Sequence, residues 1–228
     1  SAFHAALLEP ELFGQNFIVA PKFDRRTKEG KAAAEAWEAE NAGKTTLVDD
    51  QMTAIEQMVV SVRSHQGAAK LLANGMAEMS GFWTDPDTGI ECKCRPDWLA
   101  VMEDNPGRIA AIVDVKTCRD ASADGFSRAI ATFGYDVQAA FYQDGLKALT
   151  GGRSIPFYFI AVETEPPFAV AAYKASDEMI EVGRAKYRAA LQLLKWCREN
   201  ESWPGYQPGG EIETINLPRW AANFDLGE

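Results

Sequence analysis

The stretch Ile109-Ala110-Ala111-Ile112-Val113-Asp114-Val115-Lys116-Thr117 limits what this chain can fold into more than any other. It is nearly continuous in apolar residues as far as Asp114, the pattern of a strand buried on both faces inside a sheet. Side chains alternate along a strand, so Asp114 and Lys116 share a face. An acid and a lysine at the end of such a strand are expensive to bury without a purpose. Upstream, residues 89–98 alternate with period two and are predicted to form one strand. Ile90, Cys92, Cys94 and Trp98 lie on one face, and Glu91, Lys93, Arg95 and Asp97 on the other.

Two carboxylates and a lysine on neighbouring strands suit metal-assisted phosphodiester chemistry. Carboxylates are the hard oxygen ligands that Mg²⁺ or Mn²⁺ prefers, and such an ion polarises a phosphate oxygen and lowers the pKa of a water. A lysine two residues on can orient that water. The competing reading is structural, with Asp97 and Asp114 in salt bridges to Arg95 and Lys116.

Elsewhere the pattern predicts a short helix at residues 3–8, a loop-rich segment to about residue 31, and a polar Ala/Glu-rich stretch over 31–41. A helix over 50–73 carries Met52, Ile55, Val59 and Val62 at helical spacing. Three strands follow, at 77–83, 90–100 and 109–117, then helices at 124–132 and 135–149. Strands at 157–163 and 168–174 flank the turn former Glu165-Pro166-Pro167. Ser176 is the expected N-cap of a last helix over 177–200, with Asp177 and Glu178 at the positive end of its dipole. The tail from Trp203 to Pro218 reads as irregular.

Taken together this is an α/β chain with a central mixed β-sheet flanked by helices. At 228 residues, 46% hydrophobic and 25% charged, it can bury one sizeable core, so residues 1–228 read as a single domain. With no run of about 18 apolar residues and no basic-then-apolar leader, neither a membrane span nor a signal peptide is expected, and the cytoplasm is the expected location. The chain opens at Ser1 without Met, as a processed product or a fragment of a longer polypeptide would. Cys92, Cys94, Cys118 and Cys197 are spaced as one C-x-C and two distant singles, unlike iron–sulfur or zinc patterns, so reduced and mostly buried thiols are expected.

A net charge of -10 argues against nucleic-acid binding. The distribution answers part of that objection. Lys22, Arg25, Arg26, Lys28 and Lys31 cluster early, and Lys93, Arg95, Lys116, Arg119 and Arg128 surround the acidic pair. The acids gather elsewhere, notably over 35–40 and toward the end of the chain. A surface that is basic inside a cleft and acidic outside holds DNA at the cleft and repels it elsewhere.

Arg95-Pro96-Asp97, followed seventeen positions after Asp97 by Asp114-Val115-Lys116, resembles the signature of the PD-(D/E)xK nuclease superfamily. Further segments resemble the exonuclease VIII (RecE) type, a relative of phage λ exonuclease. They are residues 20–31, His65 on its helix, residues 85–95, and Phe133-Gly134-Tyr135-Asp136-Val137-Gln138-Ala139-Ala140-Phe141-Tyr142. The last contains the Q-x-x-x-Y spacing of RecB-like nucleases. Asp114 stands where many superfamily members carry Glu.

The resemblance implies a restriction-endonuclease-like core and, for the chain's origin, the C-terminal nuclease fragment of a longer protein. It implies one or two Mg²⁺ (or Mn²⁺) ions on His65, Asp97, Asp114 and the Val115 carbonyl, with Glu78 as a further candidate ligand. On its own stripe with Met58, Val62, Ala69 and Leu72, His65 would be an ordinary core histidine. Lys116, Gln138 and Tyr142 complete the implied active site; the last two share one helix face at i and i+4. Arg25 and Arg26, with Lys93 and Arg95, are the candidates for gripping DNA and its 5′-phosphate, since a guanidinium suits bidentate phosphate capture. The implied activity is 5′→3′ digestion of linear double-stranded DNA to 5′ mononucleotides. It would leave a 3′ single strand for a single-strand annealing protein (RecT-like), within a ring of three or four subunits. An endonuclease, a single-strand exonuclease and a non-catalytic binding module are the rival readings.

Overall fold

The computed structural model describes residues 1–218. Its centre is a mixed five-stranded sheet ordered β3(Gly75–Ala77), β6(Trp98–Met102), β7(Asn105–Cys118), β8(Phe157–Glu163) and β9(Val170–Lys174). β7 pairs antiparallel with β6 and parallel with β8. A parallel neighbour requires a crossover, and α6(Ala123–Phe133) with α7(Tyr135–Leu149) supplies it. The apolar run behaves as its composition dictates: residues 111–115 are buried throughout.

Alternation along β7 and β8 feeds two cores. Val113, Val115, Ile160 and Val162 pack against α1(Ala2–Leu8), α4(Asp49–Ser64) and α5(Gln66–Leu71) through Phe3, Leu7, Ile55, Met58, Val62 and Ala68. Ile112, Phe157, Phe159 and Ala161 face α6, α7 and α8(Asp177–Asn200) through Phe126, Ala139, Leu146, Ile180 and Tyr187. Ser176 caps α8 as expected, its hydroxyl accepting the Met179 N–H at 3.1 Å.

Three expectations need correction. The predicted strand over 90–100 is two strands in different sheets: β5(Glu91–Cys94) forms a hairpin with β4(Gly81–Thr84), and β6 joins the main sheet. Pro96, which has no N–H to give a ladder, lies in the break. The strand expected over 77–83 divides in the same way, between β3 and β4. The helix expected over 50–73 breaks at His65, whose backbone is extended (φ -78°, ψ 110°).

The opening segment is also more ordered than its composition suggests. α2(Pro10–Asn16) leads into β1(Phe17–Val19), which pairs in parallel with β2(Thr45–Leu47) around α3(Lys28–Glu40). Three-residue strands are too short to show a period. All four cysteines are free thiols, three of them buried. No helix among the described residues is long and apolar enough to cross a membrane.

Candidate active site

Register explains how residues seventeen apart meet. β6 and β7 pair Trp98 with Val113, so the next rung outward sets Asp97 opposite Asp114. At that rung the Asp97 side chain replaces a backbone partner: its Oδ2 accepts the Val115 N–H at 2.7 Å. Asp114 points into the α7 side of the sheet, where only 1% of it is exposed. Its Oδ1 accepts from Gln138 Nε2 at 2.7 Å. Its Oδ2 is ion-paired with Lys116 yet receives no directed hydrogen bond.

Burial, then the Asp97 charge, push the Asp114 carboxyl up to about 6, against the opposing pull of Lys116 and His4. Lys116 lies over the Tyr135 ring at 4.6 Å, a cation–π contact. Tyr142, one turn beyond Gln138 on α7, has the Gln138 side chain and the Arg95 backbone near its phenol, and both pull its pKa down. Burial nevertheless raises its pKa above the usual value. Asp97, Asp114, Lys116, Gln138 and Tyr142 are thus brought together.

The histidine is a different one. His65 caps α5, its Nδ1 accepting the Ala68 N–H at 3.1 Å, and this corrects its placement at the metal. The ring beside the carboxylates is His4 of α1, with Nε2 2.7 Å from the Val115 carbonyl and 3.4 Å from Asp97 Oδ2. A carbonyl only accepts, so Nε2 carries a proton; in the neutral ring Nδ1, 2.6 Å from Ser1 Oγ, then accepts from that hydroxyl. Burial lowers the His4 pKa, but the Asp97 and Val115 oxygens outweigh it and the net shift is upward. Sequence reasoning missed this residue. The available signal was that His4 is the only other histidine and shares the apolar stripe Phe3, Leu7 and Leu8.

Glu78, just beyond β3, donates its backbone N–H to the Asp97 carbonyl at 3.1 Å, but its carboxylate takes the Arg95 guanidinium at 2.5 Å. It stands beside the site without facing the acids. Lys93 is exposed on β5. Arg25 pairs with Glu38 at 2.5 Å and Arg26 with Asp24 at 2.8 Å, both on the exposed segment leading into α3. The structure gives neither arginine a contact with Asp97 or Asp114.

Among the described residues no three His, Cys, Asp or Glu side chains form a ready metal cage. The donors that do converge are Asp97, Asp114 and the Val115 carbonyl, hard oxygens around a surplus of negative charge. Asp114 Oδ2, buried and reached by no aligned hydrogen bond, has the Lys116 ammonium beside it. Such a set fits a divalent cation, with His4 a fourth donor once Nε2 gives up its proton.

Residues 1–218 match the family described as PDDEXK-like domain of unknown function (DUF3799). No curated protein matches the chain. Among solved structures it is similar to a crystal structure of a "Putative exonuclease" from Eubacterium rectale, with a TM-score of 0.57 and 14% identity over 85% of this chain and 74% of that one. At that identity the likeness speaks for the fold. PD-(D/E)xK nucleases in general use divalent metal ions, in keeping with the donors around Asp97 and Asp114. The chain belongs to the PDDEXK-like domain family, and through it to the PD-(D/E)xK nuclease superfamily.

Proposed function

We propose that this protein is a divalent-metal-dependent exodeoxyribonuclease that digests linear double-stranded DNA 5′→3′ to 5′ mononucleotides and leaves a 3′ single strand. The observation that carries the nuclease reading is the convergence of Asp97, Asp114 and Lys116 at one end of the central sheet. End-directed digestion is supported by the exonuclease VIII-type segments of the sequence and by the exonuclease description of the E. rectale neighbour.

Asp97, Asp114 and the Val115 carbonyl would hold the cation, Mg²⁺ or Mn²⁺, with His4 beside them. When bound, that ion offsets charge on the phosphate and its leaving oxygen. Gln138 fixes the Asp114 carboxylate through its amide, and an orienting partner of this kind sustains ligand geometry. Lys116 donates to the attacking water and keeps it in line with the phosphorus, its ammonium steadied by Tyr135. Tyr142 lies one helical turn from Gln138, where a phenol can donate to a phosphate oxygen. The reading takes the chain as one nuclease domain acting in the cytoplasm, in a ring of three or four copies, beside a single-strand annealing protein.

Digestion of linear duplex with one end-labelled 5′-phosphorylated strand tests it, in Mg²⁺ against EDTA, alongside closed circular DNA and Lys116→Ala. Mg²⁺-dependent release of mononucleotides from the linear strand alone, absent in the variant, is the expected result. Cutting of the circle makes the protein an endonuclease, and inertness on every DNA removes the nuclease reading.

A further inference from the structure

The face of β7 that carries Asp114 and Lys116 continues beyond the lysine. Cys118, two residues on and therefore on the same face, opens into a cavity of about 560 Å³ whose walls include Thr117, Arg119, Phe133 and Tyr135. One wall is aromatic and bare. Phe133, in the last turn of α6, is 68% exposed, although a large apolar ring gains most by burial.

Its position is fixed from beneath. Gly134 adopts a left-handed backbone (φ 68°) that ends α6 and begins α7. Across this bend Phe133 stacks on Tyr135, with centroids 5.6 Å apart and planes 30° apart. Tyr135 carries the Lys116 ammonium on its ring and rests on Phe126 and Phe159 of the core. Phe133 is therefore a solvent-facing ring stacked on Tyr135, one aromatic side chain away from Lys116.

We propose that this cavity is a nucleobase subsite: the base next to the phosphate being cut leaves its stack in the duplex and lies on Phe133. The inference rests on the nuclease reading above and deepens it. Every base has a π-face, so stacking on one aromatic ring accepts any sequence, as a processive nuclease requires. The sugar-phosphate then points toward Lys116 and the exposed Arg119 at the cavity mouth. Asp120, also at the mouth, has its carboxylate turned to the Ser122 N–H at 2.9 Å. A flat base fits the volume, and drawing it out of the duplex turns the adjoining phosphodiester toward the acids.

The test compares kcat/KM in Mg²⁺ for two 5′-phosphorylated linear duplexes, one intact and one with an abasic 5′-terminal nucleotide. It uses the wild-type chain, Phe133→Ala, Phe133→Leu and Phe133→Trp, with thermal melting of each as the check on folding. Wild-type protein should favour the intact end by about tenfold, mainly through KM. Phe133→Ala and Phe133→Leu should bring the two ends within about twofold of each other, and Phe133→Trp should restore the preference. Equal cutting of both ends by wild-type protein overturns the subsite and leaves the nuclease reading standing, as does a preference that survives in Phe133→Ala. Wild-type protein inert on both ends overturns the nuclease reading and the subsite with it.

Discussion

Asp97 Oδ2 accepts the backbone N–H of Val115 at 2.7 Å. An acid just before β6 thereby fixes the peptide between the two candidate side chains of β7, and Asp114 and Lys116 are positioned as a unit. Asp97→Ala is expected to abolish hydrolysis and also to destabilise the fold by about 1–3 kcal/mol, because the Val115 N–H loses its partner. Urea denaturation beside the digestion assay checks both. An inactive variant of unchanged stability would show that the bond holds nothing in place.

His4 and His65 are expected to differ in what they contribute. His4→Ala should weaken activation by Mg²⁺ by about 10- to 100-fold, since it removes the ring beside Asp97 and Val115. His65→Ala should turn over within about twofold of wild type and lose about 1 kcal/mol of stability, the usual effect of deleting an N-cap acceptor. Mg²⁺ titrations of activity, paired with thermal melts, distinguish the two residues. The opposite pattern would return His65 to the site.

The helix that presents Gln138 and Tyr142, α7, packs on α8 through one close approach. A Cβ added at Gly183 of α8 would sit 2.0 Å from the Asp136 carbonyl oxygen of α7, and backbone cannot move aside as a side-chain end can. Gly183→Ala should cost about 3 kcal/mol despite alanine's better helix propensity. Equilibrium unfolding measures it, and a stabilised variant would refute the tight crossing.

Asp144 sets an acid limit to stability away from the active site. Burial raises its pKa, but Arg184 Nε and Nη2, at 2.7 and 2.8 Å, and the Tyr187 hydroxyl outweigh that, leaving it below the ordinary 3.8. A carboxyl depressed in the folded state adds stability above its unfolded pKa and loses it as the pH falls through the folded one. Asp144→Asn should therefore lower stability by about 2 kcal/mol at pH 7, with the difference from wild type shrinking below about pH 4. A difference that stays constant from pH 7 to pH 3 would contradict the ion-pair origin.

Strong periodicity made the second half of the fold legible. β7, β8 and the helices α6 to α8 fall within a few residues of their expected bounds, since each carries a long single-period pattern. The division at Pro96 was hidden because alternation continues from Cys92 to Arg95 while the chain leaves one sheet for another. The break at His65 was hidden because its flanking residues keep a helical apolar spacing on both sides.

By itself the sequence determined the buried strand, the shared face of Asp114 and Lys116, and the i, i+4 pairing of Gln138 with Tyr142. These follow from local periods of two and 3.6 residues and need no distant partner. Only the tertiary structure decided that His4 and not His65 flanks Asp97, that Glu78 is tied to Arg95, and that Phe133 stands bare beside Lys116. Each of these depends on how separate elements pack, and packing joins residues such as His4 and Val115, 111 positions apart, whose proximity no local pattern encodes.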